Sequence, residues 1–147
     1  MKELSIEEKE LLVKDLSSRL PYGVMCKCYH EEFSIEDEEP FALVYDEKLS
    51  IENGSFIGSF SYKIDKIRPY LRPMSSMTEE ELHEVQKILG KGVEIHDNFI
   101  SIVDSSVNAF TYLELKAVFD WFNRKMFDYQ GLIPMGLALE APKGMYN

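Results

Sequence analysis

The stretch LSIENGSFIGSFSY, residues 49–62, decides the fold class. At its centre stand Asn53 and Gly54, two residues that tolerate positive φ and so suit the type I′ turn of a two-residue hairpin. Leu49 and Ile51 alternate before the turn, and Phe56, Gly58, Phe60 and Tyr62 alternate after it. A period of two with one apolar side marks antiparallel strands. Gly58 breaks the apolar set, which points to a bulge or a close backbone approach.

Toward the N-terminus, residues 5–20 read as a helix. Ser5 and Glu8 have capping-box spacing, and Leu12, Leu16 and Leu20 form a stripe that Val13 widens. Glu7, Glu8, Lys9, Glu10, Lys14 and Asp15 fall mostly off that stripe, and Pro21 and Gly23 stop the helix. A strand over 24–30 follows. Glu31, Glu32, Glu36, Asp37, Glu38 and Glu39 then read as an acidic loop, because like charges at this density repel. Further strands are expected at 41–45 and 49–52.

Toward the C-terminus, Thr78 with Glu81 repeats the capping box, Leu82, Val85, Ile88 and Leu89 give a helical stripe, and Gly90 is the C-cap. A short hairpin turns at Asp97-Asn98. Thr111 with Glu114 opens a third helix, whose apolar face is Leu115, Val118, Phe119, Phe122 and Met126, flanked by Trp121. The tail from Gly131 is apolar but broken by Pro134, Gly136, Pro142 and Gly144. Helix, strands, helix, hairpin, helix is an α+β order: a small antiparallel sheet with about three packing helices. The strand-rich span 24–62 leaves open an SH3-like barrel.

At 147 residues, with 45% hydrophobic residues, one compact domain over 1–147 is the expectation. The formal net charge is −10, which argues against a nucleic-acid backbone or an anionic membrane as partner. Solubility is the plainest use of such charge; a basic protein partner, or DNA mimicry, is the sharper one. No apolar run reaches the ~20 residues that span a bilayer. The start MKELSIEEKE lacks an apolar signal core, so a cytoplasmic location is the expectation.

Cys26, Cys28 and His30 share one side of a strand and are zinc-ligand types. No further paired ligand completes the set, and core packing of the two cysteines is the simpler reading. The other histidines, His83 and His96, lie in no nucleophile motif. No phosphate-binding glycine pattern and no calcium loop occurs, so neither a catalytic set nor a cofactor or metal site is assigned. One local reversal of charge stands out. Lys63, Lys66, Arg68 and Arg72 cluster with Tyr62 and Tyr70 in an otherwise acidic chain. Arginine with tyrosine is the composition of an interaction hot spot or a phosphate site; internal pairing with the acidic residues is the alternative.

Three stretches, LPYGV (20–24), IRPYLRPMSSMTEEE (67–81) and FDYQGLIPMGLALEAPKGMY (127–146), resemble an uncharacterised family of small proteins carried by phages, prophages and mobile elements of gut Bacteroidales bacteria. The resemblance implies that genetic context and no activity. The chain departs from the pattern at Gln130, where the family has Arg, and at Pro134 and Met135, where it has a charged pair. With the residue readings, this gives a non-catalytic binding protein for a host or phage protein as the first expectation. A binder of a small phosphorylated ligand or nucleotide through the basic cluster is the second, and a small enzyme the third. A sheet edge near 41–45 would also permit homo-oligomers.

Overall fold

The computed structural model describes residues 2–104 and 106–146. The order of elements is α1 (Ile6–Arg19), β1 (Met25–Ser34), β2 (Glu39–Lys48), β3 (Ser50–Glu52), β4 (Ser55–Ile57), β5 (Ser61–Tyr62), β6 (Ile67–Leu71), α2 (Glu79–Leu89), β7 (Gly92–Ile95), β8 (Ile100–Asp104), α3 (Tyr112–Arg124) and β9 (Leu139–Glu140). Three helices with antiparallel strand pairs make the α+β class expected from the sequence. The strands form sheets ordered β2-β1-β6-β9, β3-β4-β5 and β7-β8. The chain divides into two compact units, Met1–Tyr70 with Leu137–Leu139, and Leu71–Gly136 with Glu140–Asn147.

In the first unit the Asn53-Gly54 turn has the backbone that its residues favour, with φ of 51° and 79°. Glu52 pairs with Ser55 across it and Ile51 with Phe56. Gly58 is a close approach: a Cβ there would collide with the Glu47 carboxylate and the Leu49 side chain. Glu47 accepts hydrogen bonds from the Ser59 backbone N–H and, at 2.7 Å, from the Ser59 hydroxyl. The break between β4 and β5 falls at this point.

Helix α1 is capped by Ser5 and Glu8 through the expected reciprocal box. Its buried face is Leu12, Asp15, Leu16 and Arg19, not the purely apolar stripe. Asp15, read as off the stripe, is fully buried, while Val13 is exposed. The reason is mutual neutralisation. Arg19 Nε and Nη2 donate to the two Asp15 carboxylate oxygens, each at 3.0 Å, so both charges leave water as a paired unit.

The larger difference from the sequence reading is at the acidic stretch. Instead of a loop over 31–39, Glu31–Ser34 extends β1 and Glu39 opens β2, giving a ten-pair ladder from Met25↔Lys48 to Ser34↔Glu39. The turn occupies only residues 35–38. Ser34 Oγ accepts from the Asp37 N–H at 3.2 Å, and Glu38 adopts a left-handed φ of 54°, as four-residue hairpin loops built on a type I turn allow. Strand side chains alternate in direction, which spreads the charges over both faces.

In the second unit α2 and α3 pack with the β7–β8 hairpin around Val85, Leu89, Val93, Val118, Trp121 and Phe122. Both helices begin with the capping boxes expected at Thr78 and Thr111, and α2 ends at Gly90 in the left-handed region. Trp121 is buried, and its indole N–H donates to Glu84 at 2.9 Å. Phe119, assigned to the same apolar face, stays 41% exposed. No helix among the described residues is long and apolar enough to cross a membrane.

Candidate functional site

The six residues of the basic and tyrosine cluster have separate fates. In the first unit, Tyr62 is buried, and burial followed by the Glu47 carboxylate pushes its phenol up to about 12. Tyr70 is buried as well; it donates to Asp46 at 2.7 Å, and burial with that carboxylate raises it to about 12. Arg68 lies within the short strand β6, only 4% exposed. It donates to the carbonyls of Asp65 and Ile67 at 3.0 and 2.9 Å, and burial lowers its pKa. Lys66 pairs with Glu31 at 3.0 Å, and Lys63 is exposed.

Arg72 belongs to the second unit, where it acts as a staple. Its guanidinium fork donates to both Glu81 oxygens at 2.8 and 2.7 Å, and to the Ser76 carbonyl at 3.2 Å. The same group lies 4.1 Å from the Phe127 ring centroid. Its backbone N–H donates to the Met126 carbonyl at 2.7 Å, and its carbonyl accepts from the Asp128 N–H at 2.8 Å. Internal pairing thus describes Lys66, Arg68 and Arg72.

Cys26 and Cys28 are free, fully buried thiols. Burial pushes both pKa values up, that of Cys28 to about 12, so at neutral pH both remain protonated and poorly nucleophilic. His30 is partly exposed and stacks on Phe60 with ring centroids 3.8 Å apart; its Nε2 is 3.1 Å from Glu32. Among the described residues no group of three or more His, Cys, Asp or Glu is arranged to hold a metal ion.

The β1–β2 hairpin has the composition and geometry of a docking site. β6 pairs with β1 only from Cys26 to Cys28. Beyond that point, among the described residues, β1 has β2 as its only strand neighbour, and β2 ends the sheet. The result is a two-stranded ribbon with an open strand edge. Phe33 (63% exposed), Ile35 (87%), Phe41 (47%) and Val44 (47%) are uncovered on it. From Tyr29 to Tyr45 there are six carboxylates, Glu31, Glu32, Glu36, Asp37, Glu38 and Glu39, and no Lys or Arg. Lys66 holds Glu31 below the ordinary carboxylate range, so that side chain is ionised and engaged, whereas Glu36, Glu38 and Glu39 at the tip are exposed.

A depression of about 330 Å³ lies at the tip, lined by Ser34, Asp37, Glu39, Pro40 and Phe41. Two carboxylates beside an aromatic ring suit the ammonium or guanidinium end of a long cationic side chain and the stem that carries it. The sequence reading missed the ribbon because it took charge density as the sign of a loop. The available signal was Phe33, an apolar residue among the acids at an even spacing from Tyr29, which continues the strand period to the end of β1. No family model, curated protein or solved structure matches the chain.

Proposed function

We propose that the chain is a non-catalytic binding protein whose β1–β2 ribbon takes up a basic polypeptide segment as an added strand. The observation that carries this reading is the open edge of β2, flanked by uncovered apolar side chains and by a carboxylate cluster of which Glu36, Glu38 and Glu39 at the tip are exposed. An unpaired edge offers backbone donors and acceptors to an extended peptide, and the side chains beside it select among peptides. Native edges of this length are ordinarily protected by inward charges, lysines or a covering element. Here the charge is of one sign, which repels a second copy and attracts a segment that alternates Lys or Arg with apolar residues. The likeness to phage and mobile-element proteins supports a host or phage protein as the source of that segment. A phosphorylated ligand fits less well, because three of the four cations it would need are engaged within the chain.

A fluorescent peptide alternating Lys with Val and Phe, titrated with the protein, tests the reading. Expected is saturable binding that weakens about tenfold or more between about 0.05 and about 0.5 M salt, as screening of exposed charge requires. The E36K/E38K variant, altered only at exposed turn positions, should lose the binding and keep its fold by circular dichroism. Equal affinity for a peptide with Glu in place of Lys, or self-association through the ribbon by sedimentation, would overturn it.

A further inference from the structure

The second unit contains a cavity that the ribbon does not explain. It has a volume of about 220 Å³ and lies among the β7–β8 turn, α3 and the segment after it. Five aromatic rings wall it: Phe99, Phe110, Phe119, Phe122 and Tyr129. Phe119 and Phe122 lie 5.3 and 5.6 Å from Tyr129 by centroid, tilted at 35° and 28°, so the three rings form a continuous bent surface. The Tyr129 hydroxyl is already engaged with Asn123 at 3.0 Å, which leaves the ring as what this tyrosine offers. Phe99 and Phe119 remain 57% and 41% exposed although both contribute to the walls, so the cavity opens to solvent.

Size sets the ligand class. An apolar cavity of about 150 Å³ takes up benzene. A volume of about 220 Å³ therefore holds one aromatic ring with a chain of two or three further atoms. Charge sets the rest. No Lys or Arg lines the cavity, and the Lys91 ammonium, 5.2 Å from the Phe110 ring, is held by Glu114 at 2.9 Å, so a carboxylate or phosphate would find no free counter-ion there. Its polar lining is the turn His96, Asp97 and Asn98. His96 stacks on Phe99 at 4.2 Å, and its Nε2 lies 3.0 Å from Ser101 Oγ. Asp97 is an exposed carboxylate at the rim. Aromatic faces inside and a carboxylate outside are complementary to a ring that carries a protonated amine.

We propose that this cavity is a binding site for small arylalkylamines, with the ring packed against the surface made by Phe119, Phe122 and Tyr129 and the ammonium group directed at Asp97. The site lies in the second unit and is independent of the ribbon. The rim charge acts on the ammonium group alone, so the amine should exceed its neutral isostere in affinity, and the acid should be excluded.

Isothermal titration with 2-phenylethylamine, 2-phenylethanol and 3-phenylpropanoate tests this. The expected order is amine over alcohol by about three- to fivefold, the yield of one exposed charge contact, with no detectable binding of the acid. D97N should reduce the amine-to-alcohol ratio to about one and leave alcohol binding in place. F119A, a truncation at a half-exposed position, should weaken both. Failure of all three ligands to bind, acid binding equal to amine, or an unchanged ratio in D97N would each overturn the proposal. E36K/E38K should bind the amine as the parent chain does, so a failure of the ribbon reading and a failure here are separable.

Discussion

The buried Asp15–Arg19 pair offers a quantitative test of how α1 is held. Both side chains have no solvent exposure, and two hydrogen bonds of 3.0 Å join them. R19M keeps most of the volume and removes the charge, leaving the Asp15 carboxylate in a site shaped for its cation. D15L does the converse. Breaking one side of a buried pair costs about 3–5 kcal/mol, most of it desolvation of the charge left behind. Each single variant should therefore lose about that much in urea unfolding, with the slope against urea unchanged. At roughly 3 °C per kcal/mol for a chain of this size, the midpoint of thermal unfolding should fall by about 10 °C or more. The double variant D15L/R19M buries no unpaired charge at these positions. Its loss should be smaller than the sum of the singles by about 2–3 kcal/mol, the coupling typical of groups in direct contact. If the singles cost less than about 1 kcal/mol, or add to within about 0.5 kcal/mol, the pair is not the desolvated unit described and its burial carries no energetic weight.

Other outcomes follow from the same geometry. The Arg72 guanidinium, with the Thr78 N–H, lowers Glu81 from 4.5 to about 2, so the stability it contributes is fully present above pH 4.5 and lost as pH falls toward 2. Acid unfolding followed by circular dichroism should show that loss in the parent chain and a flatter profile in E81Q. G58A places a methyl group against Glu47 and Leu49, and should cost about 1–3 kcal/mol by chemical denaturation, the range for forced overpacking. Cys26 and Cys28 should resist a thiol reagent at pH 8 and react in full once urea unfolds the chain, because burial both hides the thiols and raises their pKa values.

What the sequence makes legible here is local. The Asn53-Gly54 turn and the three capping boxes are fixed by residues within four positions of one another, and each forms as its spacing predicts. Gly58 is a partial case: its absence of a side chain signals a close approach, while the partner, Glu47, lies eleven positions away. The burial of Asp15 was present in the spacing too, since Leu12, Asp15, Leu16 and Arg19 share one helical face. A pattern scored on apolar residues alone discards the two that carry charge. The candidate sites belong to another category. An open strand edge is defined by which strand fails to arrive beside it: among the described residues β2 has β1 on one side and no strand paired on the other, and β1 in turn keeps β6, about forty positions further on, only to Cys28. The aromatic cavity likewise draws its walls from residues 74 to 129, most of them legible only as members of a helix stripe or a hairpin. Elements are specified by what each residue does with its near neighbours, whereas binding surfaces are what remains after all long-range pairing is complete. That is why the acidic stretch, most conspicuous in the sequence for its charge, becomes informative only once its strands are seen to end the sheet.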